Sequence, residues 1–386
     1  MMNQKHLKYQ FSSTLGQKKV NKALICCFLC LAIACNNNRN YNKGDNSDDF
    51  IEITDAAGRE VKISKSSKFI VGFSKADIFR ILDAESKIQG VSRWVVGLNA
   101  EINPVLSKLP SIGGFSPGTM NYEMIYEIAN NSPEDDVILT YNQSWADDVE
   151  EKLGASGKIK IIKLNLFGSA EPQKEIAILG KVLDREAESK RYLDWFDSLF
   201  FVVKNRVSDI PDEKRVKVYW DAPSAGHYDT SGGGSSADII ISKAGGVLIS
   251  NAQQSTSNLS VSPEWIMQEN PDVIISHPAG SRHLLDVKFD YSSVAIDTAR
   301  LSDAWNELIS SPGINATNAV RDKRVYFIND LMFGPSQPVG AVVLAKLFYP
   351  ELFEDMNAHE LLKNYYEYFM KLDYKGLYLY PLIFKL

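Results

Sequence analysis

The sequence predicts an α/β protein of two Rossmann-like lobes with parallel-rich sheets, joined by a single long α-helix. Three observations carry that prediction. From Ile51 onward, short apolar runs alternate with amphipathic helical stretches, as α/β layers with parallel strands require. A helix-then-strand pattern occurs twice: Tyr122-Glu123-Met124-Ile125 leads into Asp136 to Tyr141, and Pro263-Glu264-Trp265-Ile266 leads into Pro271 to His277. Between the two, Glu171 to about Val207 holds a helical period over some 35 residues.

Taken in order, Ile51 to Val61 reads as a hairpin turning at Ala56 to Gly58, and Phe69 to Ser74 as a buried strand. Ala76 to Leu82 starts a helix; Ile88 to Ser92, Val137 to Tyr141 and Ile159 to Leu164 continue the strands, closing the first lobe near Gly168. In the long segment, apolar residues recur at Ile176, Leu179, Val182 and Leu183, then at Leu193, Phe196, Leu199 and Phe200. Gly180 is its lone internal glycine, Pro172 suits a first turn, and Pro211 follows the end. One helix of that length would reach roughly 50 Å at 1.5 Å per residue, enough to bridge two lobes; the alternative is two successive ordinary helices. The second series has strands at Val216 to Trp220, Val273 to Ser276 and Val325 to Ile328. A polar Gly-rich loop covers Asp221 to Ser236, and helices cover Ala237 to Lys243, Pro338 to Leu347 and Ala358 to Leu372. The expected organisation is a leader over 1–34, a tether over 35–50, lobes over 51–168 and 211–372, an interlobe helix over 169–210, and a tail over 373–386 that packs back as core.

The N-terminus carries Lys5, Lys8, Lys18, Lys19 and Lys22 without an acid, then twelve apolar residues from Ala23 to Ala34, then Cys35. A basic region, a short apolar run and small residues before the break describe a secretory signal, and twelve residues are short for a membrane span. All four cysteines, Cys26, Cys27, Cys30 and Cys35, lie in this region, so neither a disulfide framework nor a Cys-based metal site is expected in the body. Without the leader, 37 basic residues face 48 acidic ones, a formal charge of −11. That balance, with no basic cluster, argues against a nucleic-acid partner. Glu123 and Glu264, 141 positions apart, would present one carboxylate per lobe; each alone also fits the preference of acids for helix starts.

These residues resemble the substrate-binding proteins of ABC importers for ferric siderophores, haem and cobalamin, the class with a rigid interlobe helix. Ile53 to Arg59 looks like the opening hairpin of that family. Phe69-Ile70-Val71, Ala76-Asp77-Ile78 and Ile88-Gln89-Gly90-Val91 match its first strand, helix and strand; Ala244-Gly245-Gly246, Val261-Ser262-Pro263-Glu264 and Pro271 to Ile274 follow in the expected order. Leu31-Ala32-Ile33-Ala34-Cys35 resembles the bacterial lipobox, with Cys35 lipidated; an ordinary cleaved signal is the alternative. The resemblance implies an extracytoplasmic lipoprotein on a bacterial membrane, at the periplasmic face or cell surface, that takes a metal chelate and performs no covalent chemistry. It implies docking to an inner-membrane ABC permease through Glu123 and Glu264. It also implies an interlobe ligand site, where loops would supply Phe73, Ser74, Arg93, Trp94, Phe115 to Thr119 (Ser116 and Thr119 among them) and Tyr141 to Trp145 from the first lobe. The second lobe would supply Trp220, His227, Tyr228, Ser231 to Ser235 (Gly233 at its centre), His277, Arg282 and Phe333. For each of these, ordinary loop or core packing is the alternative. The expected ligand is a ferric siderophore, with cobalamin or haem as the alternative; no resident cofactor and no metal bound directly by the protein is expected.

Three other patterns compete. Gly114-Phe115-Ser116-Pro117-Gly118 matches G-x-S-x-G and would make Ser116 a hydrolase nucleophile, but Pro117-Gly118 reads as a turn and no strand precedes it. Gly232-Gly233-Gly234-Ser235 can cradle an anion but lacks the ending of a P-loop. His227, His277 and His283 offer imidazoles to a metal, although loop spacing alone is weak support for convergence.

Overall fold

The hairpin of β1 (Phe50–Thr54) and β2 (Glu60–Ser64) opens the folded body, in a computed structural model that describes residues 49–97, 99–131, 136–154, 157–222, 228–255, 258–276, 298–329, 333–375 and 377–381. Asp55 forms its turn, accepting the backbone N–H groups of Ala57 at 2.9 Å and Arg59 at 3.1 Å. The first lobe follows as β3 (Lys68–Val71), α1 (Asp77–Ile81), β4 (Ile88–Val91), α2 (Arg93–Val96), α3 (Tyr122–Asn131), β5 (Asp136–Thr140), α4 (Ala146–Gly154) and β6 (Ile159–Lys163). Its sheet order is β4-β3-β5-β6, and all pairs are parallel.

The segment expected as one rod is two helices, α5 (Pro172–Val182) and α6 (Glu186–Val207). Asp184 takes a left-handed backbone, φ 54°, and the chain reverses. The Gln173 Nε2 group donates to Asp197 Oδ1 at 2.9 Å, and the Ser189 hydroxyl donates to the Ile176 carbonyl at 3.1 Å. Neither contact is possible along a straight helix, so α5 and α6 form an antiparallel hairpin. The bridge between lobes is therefore the 22-residue α6 alone, about 33 Å long. At its start Arg185 Nε donates to the Asp83 carbonyl beside α1; at its end Arg206 pairs with Asp355.

The second lobe contains β7 (Lys217–Asp221), β8 (Tyr228–Ser231), α7 (Ser236–Lys243), β9 (Val247–Leu248), β10 (Asn258–Val261), α8 (Pro263–Glu269), β11 (Val273–Ser276), α9 (Thr298–Ser310), α10 (Asn318–Arg321) and β12 (Val325–Ile328). Helices α11 (Gln337–Phe348) and α12 (Ala358–Asn364) and strand β13 (Leu379–Tyr380) complete it. Its sheet order is β13-β12-β11-β7-β9, parallel except at β13. In each lobe the four parallel strands run in the order second, first, third, fourth. β5 and β11 occupy the same place, and α3 and α8 precede them equivalently. The repeat read from the sequence is thus a repeat of topology. Part of the segment expected as loop, Tyr228–Ser231, is instead β8, antiparallel to β10.

Strand side chains alternate between two faces, and the core follows that alternation. Phe69, Val71, Val137, Leu139 and Ile162 join Val218, Trp220, Ile275, Tyr326 and α11 in one apolar cluster shared by both lobes and threaded by α5 and α6. Ile70, Ile138 and Ile161 face an outer cluster of the first lobe; Tyr219, Ile274 and Phe327 face one of the second. Gly245 stands at the crossing of α6 and α7 with φ 88°, where a Cβ would lie 2.8 Å from Val207 Cβ. Of the described tail residues, Tyr378 and Leu379 are buried, and β13 extends the sheet beside β12. From the preceding turn, Met370 offers its carbonyl to Arg80 Nε at 2.6 Å, and Lys371 pairs with Asp83, so this segment also touches the first lobe.

Candidate functional site

The strands of the first sheet end at one edge, and the loops leaving β3, β5 and β6 converge there. Opposite them stand the start of α7 and the approach to α11. The cleft between has a volume of about 500 Å³. Phe73, Ser74, Tyr141 and Phe333, four of the residues named from sequence, line it. The Tyr141 hydroxyl accepts the Ser74 N–H at 3.3 Å and lies 3.1 Å from Ser74 Oγ, tying two of the converging loops.

Beside the cleft the predicted aromatic residues form an arc. Tyr141 meets Phe73 edge-on at 5.1 Å and Phe115 at 5.2 Å; Phe115 stacks on Trp145 at 6.1 Å and tilts against Trp94 at 6.5 Å. The Arg93 guanidinium lies 4.7 Å over the Trp94 ring and is exposed. Ser116 and Thr119 hold the turn that carries Phe115, their hydroxyl oxygens 2.9 Å apart. Trp220 is buried beneath the opposite wall, edge-on to Phe333 at 5.4 Å. Such an arrangement offers broad apolar faces with a cation at the margin.

Other predicted residues sit elsewhere. Tyr228 packs with the outer cluster of the second lobe. The Ser231 carbonyl accepts the Ser250 hydroxyl at 2.6 Å, and Gly233 lies so close to Asn251 that a Cβ would stand 2.0 Å from its carbonyl oxygen. Within the same predicted stretch, Ser231 to Ser235, it is Gly234 and Ser235 that line the cleft, joined by Ser236 just beyond it. His227, His277, His283, Arg282 and Cys35 lie outside the described residues. Among the described residues no group of three or more His, Cys, Asp or Glu side chains is placed to hold a metal ion.

Asn142 and Gln143, within the predicted loop Tyr141 to Trp145, also line the cleft; sequence reasoning missed Lys75 and Asn165 to Gly168. Lys75 simply continues a loop already chosen, so extending that loop by one residue would have found it. The β6–α5 connection gave no aromatic or charged signal. It is held by Glu175, a buried residue in the first turn of α5 whose carboxylate accepts the N–H groups of Asn165 and, at 2.7 Å, Leu166. Burial pushes that carboxyl up, and the Leu166 and Asn165 amides and the Ser169 hydroxyl only partly oppose the shift. Leu166 itself is left-handed, φ 47°, an unusual conformation for a branched side chain.

Glu123 and Glu264 are both exposed and lie in the first turns of the equivalent helices α3 and α8. A hydrogen bond from its own backbone N–H, then one from Ser262, holds the Glu264 carboxyl below the usual range. Ser116, the competing nucleophile, sits in a hydrogen-bonded turn, with Thr119 N–H donating to its carbonyl at 2.9 Å, and not on a strand-to-helix elbow. No helix among the described residues is long and apolar enough to cross a membrane.

The sequence profile described as "Periplasmic binding protein" matches residues 71–331. The molybdate-binding protein MolA of Haemophilus influenzae is 21% identical over 350 residues, which cover 84% of this chain and 92% of MolA. Its molybdate-bound structure aligns with a TM-score of 0.67 at 19% identity, covering 85% of this chain and all (100%) of that one. The TroA-like periplasmic binding protein FepB from Veillonella parvula aligns with a TM-score of 0.69 at 23% identity, covering 85% and 99%. Helicobacter pylori CeuE, solved as a Ni-His complex, gives 0.64 at 18% identity over 84% and 96%. At these identities the structures speak for the two-lobed fold, and the profile match, spanning most of the chain, speaks for descent. Proteins of this kind bind small ligands outside the cytoplasm and deliver them to ABC permeases; by the match over residues 71–331, this chain belongs to the periplasmic binding protein family.

Proposed function

We propose that this chain captures a metal chelate of the ferric-siderophore type in the interlobe cleft and carries it to an ABC permease as a lipoprotein anchored through Cys35. The observation that carries the reading is the aromatic arc of Phe73, Tyr141, Phe115, Trp94 and Trp145 beside a cleft of about 500 Å³. That volume suits a whole small molecule, and ring faces give apolar contact at low entropic cost. The Arg93 guanidinium at the edge suits an anionic chelate. Haem or cobalamin would use the same faces and is the second reading; the molybdate named for MolA makes an oxyanion or its chelate a third ligand to test. The buried contacts of α6 with both lobes favour capture with a small adjustment of the cleft over wide hinge closure.

Glu123 and Glu264 are the proposed docking residues. Two exposed carboxylates on topologically equivalent helices can fix both position and orientation against two basic pockets. Replacing both with Ala is expected to abolish uptake and leave ligand affinity intact; equal loss of ligand affinity would refute the assignment.

The ligand is tested by thermal shift on the body starting after Cys35, against ferric siderophores, haem, cobalamin, molybdate, and free iron, zinc and manganese. A ligand at a hundred times its Kd stabilises by about 2.7 kcal/mol, a rise of a few degrees in Tm. A shift with one chelate class supports the reading. Shifts with bare ions alone would refute it and turn attention to the histidines; ester turnover lost in Ser116→Ala would favour a hydrolase.

A further inference from the structure

Glu175 is buried and does not itself line the cleft, yet it holds the backbone of a segment that does. Asn165, Leu166, Phe167 and Gly168 are consecutive lining residues. The N–H groups of Asn165 and Leu166 converge on one oxygen of the Glu175 carboxylate. That convergence is set by the Asn165 backbone, φ −99° and ψ −19°, and the chain then turns through a left-handed Leu166, φ 47°. A leucine gains nothing from this conformation by itself, so an external partner must hold it. The segment closes further on itself through Gly168 N–H to the Asn165 carbonyl and Ser169 N–H to the Leu166 carbonyl, both 3.0 Å. The Asn165 N–H and carbonyl are thereby committed, and Asn165 itself is a half-buried lining residue whose side chain carries both a donor and an acceptor.

We propose that Glu175 is a positioning residue of the ligand site: it fixes the β6–α5 connection so that the Asn165 carboxamide is presented to the bound molecule. The proposal rests on the cleft being the ligand site. It makes Asn165 a ligand-contacting group and Glu175 the reason that group is preorganised. It also separates Glu175 from an ordinary structural acid, whose loss would lower stability without changing what Asn165 contributes.

The test is a double-mutant cycle on the body after Cys35, with a ferric tris-catecholate chelate as probe, read by quenching of tryptophan fluorescence. Asn165→Ala in the native background is expected to weaken the chelate at least fivefold. In Glu175→Ala the same change is expected to have little effect, because the carboxamide is no longer held in place. Glu175→Gln, which keeps an acceptor oxygen for the two N–H groups, is expected to restore most of the affinity and serves if Glu175→Ala does not fold. Amide exchange on the ligand-free proteins gives an independent answer: Asn165 and Leu166 should exchange faster in Glu175→Ala while β3, β5 and β6 stay protected. Unchanged exchange at those amides overturns the proposal whatever the chelate does. Faster exchange with an undiminished effect of Asn165→Ala overturns it too. If the native protein does not bind the chelate, the chelate reading fails, and the exchange result then decides on Glu175 alone.

Discussion

The hairpin of α5 and α6 can be tested by the sign of one substitution, Gly180→Ala. Gly180 is in the last turns of α5, and a Cβ added there would lie 2.4 Å from Ser189 Cβ and 2.8 Å from Ser189 Oγ on α6. Both are rigidly placed atoms near a helix backbone, so the helices must separate. Overpacking of this kind costs about 1–3 kcal/mol. Displacing Ser189 also strains its bond to the Ile176 carbonyl, 3.1 Å long, worth about 1 kcal/mol. Against this, alanine is favoured over glycine in a helix by about 1 kcal/mol. The expected net loss is roughly 1–3 kcal/mol, a fall in Tm of about 2–6 °C by the scaling for large domains. In a continuous helix, residues 180 and 189 would be about 13 Å apart and only the propensity gain would remain. Gly180→Ala would then raise Tm. Thermal unfolding followed by circular dichroism measures the difference. Ser189→Gly should recover most of the loss in the double variant, and a rise in Tm for Gly180→Ala alone would refute the hairpin.

Three further outcomes are expected. Burial pushes the Asp55 carboxyl up, but the Arg59 side chain and the Lys163 and Arg59 amides more than offset it, leaving its pKa below the ordinary 3.8. The stability it supplies is therefore complete above that value and lost as pH falls through the lower folded value. Arg59→Ala should remove roughly 2–3 kcal/mol at pH 7 in urea melts, less than for a fully buried pair because Arg59 keeps 29% of its side-chain surface exposed. Removing the ring of Phe115, which meets Trp94, Tyr141 and Trp145, should weaken a bound chelate tenfold or more while Tm falls by only a few degrees; an unchanged Kd would take the arc out of the site. Ending the chain after Leu372 removes the buried Tyr378 and Leu379 and bares β12, so unfolding at lower urea and oligomers on size exclusion are expected.

Much of the architecture was legible in the linear chain because local rules and tertiary packing agree. Apolar runs such as Phe69-Ile70-Val71 are strands buried on both faces, the composition a covered parallel sheet needs. The paired helix–strand segments at Glu123 and Glu264 repeat because each lobe repeats one strand order. Where local rules were silent, reading failed. Helical spacing at Leu301, Ala304 and Leu308 marks α9 and could have been read. Nothing in Leu183-Asp184-Arg185 announces a chain reversal, since neither glycine nor proline marks it. The reversal is fixed by what α5 and α6 bury against each other and against both lobes.

The candidate ligand site divides the same way. Aromatic residues at predicted strand ends, taken with the family resemblance, singled out Phe73, Tyr141 and Phe333, and all three line the cleft although Phe73 is buried. Local sequence could not distinguish Ser231 and Gly233, pinned beneath the rim by Ser250 and Asn251, from Gly234 and Ser235 on the cleft. Nor could it show that Glu175, ten residues beyond Asn165, shapes the cleft wall from behind. Strand identity and apolar faces depend on side-chain character at fixed short spacing, which a sequence carries explicitly. Which loop residue meets solvent, and which buried acid holds it there, depends on contacts between segments, and those exist only once the lobes have packed.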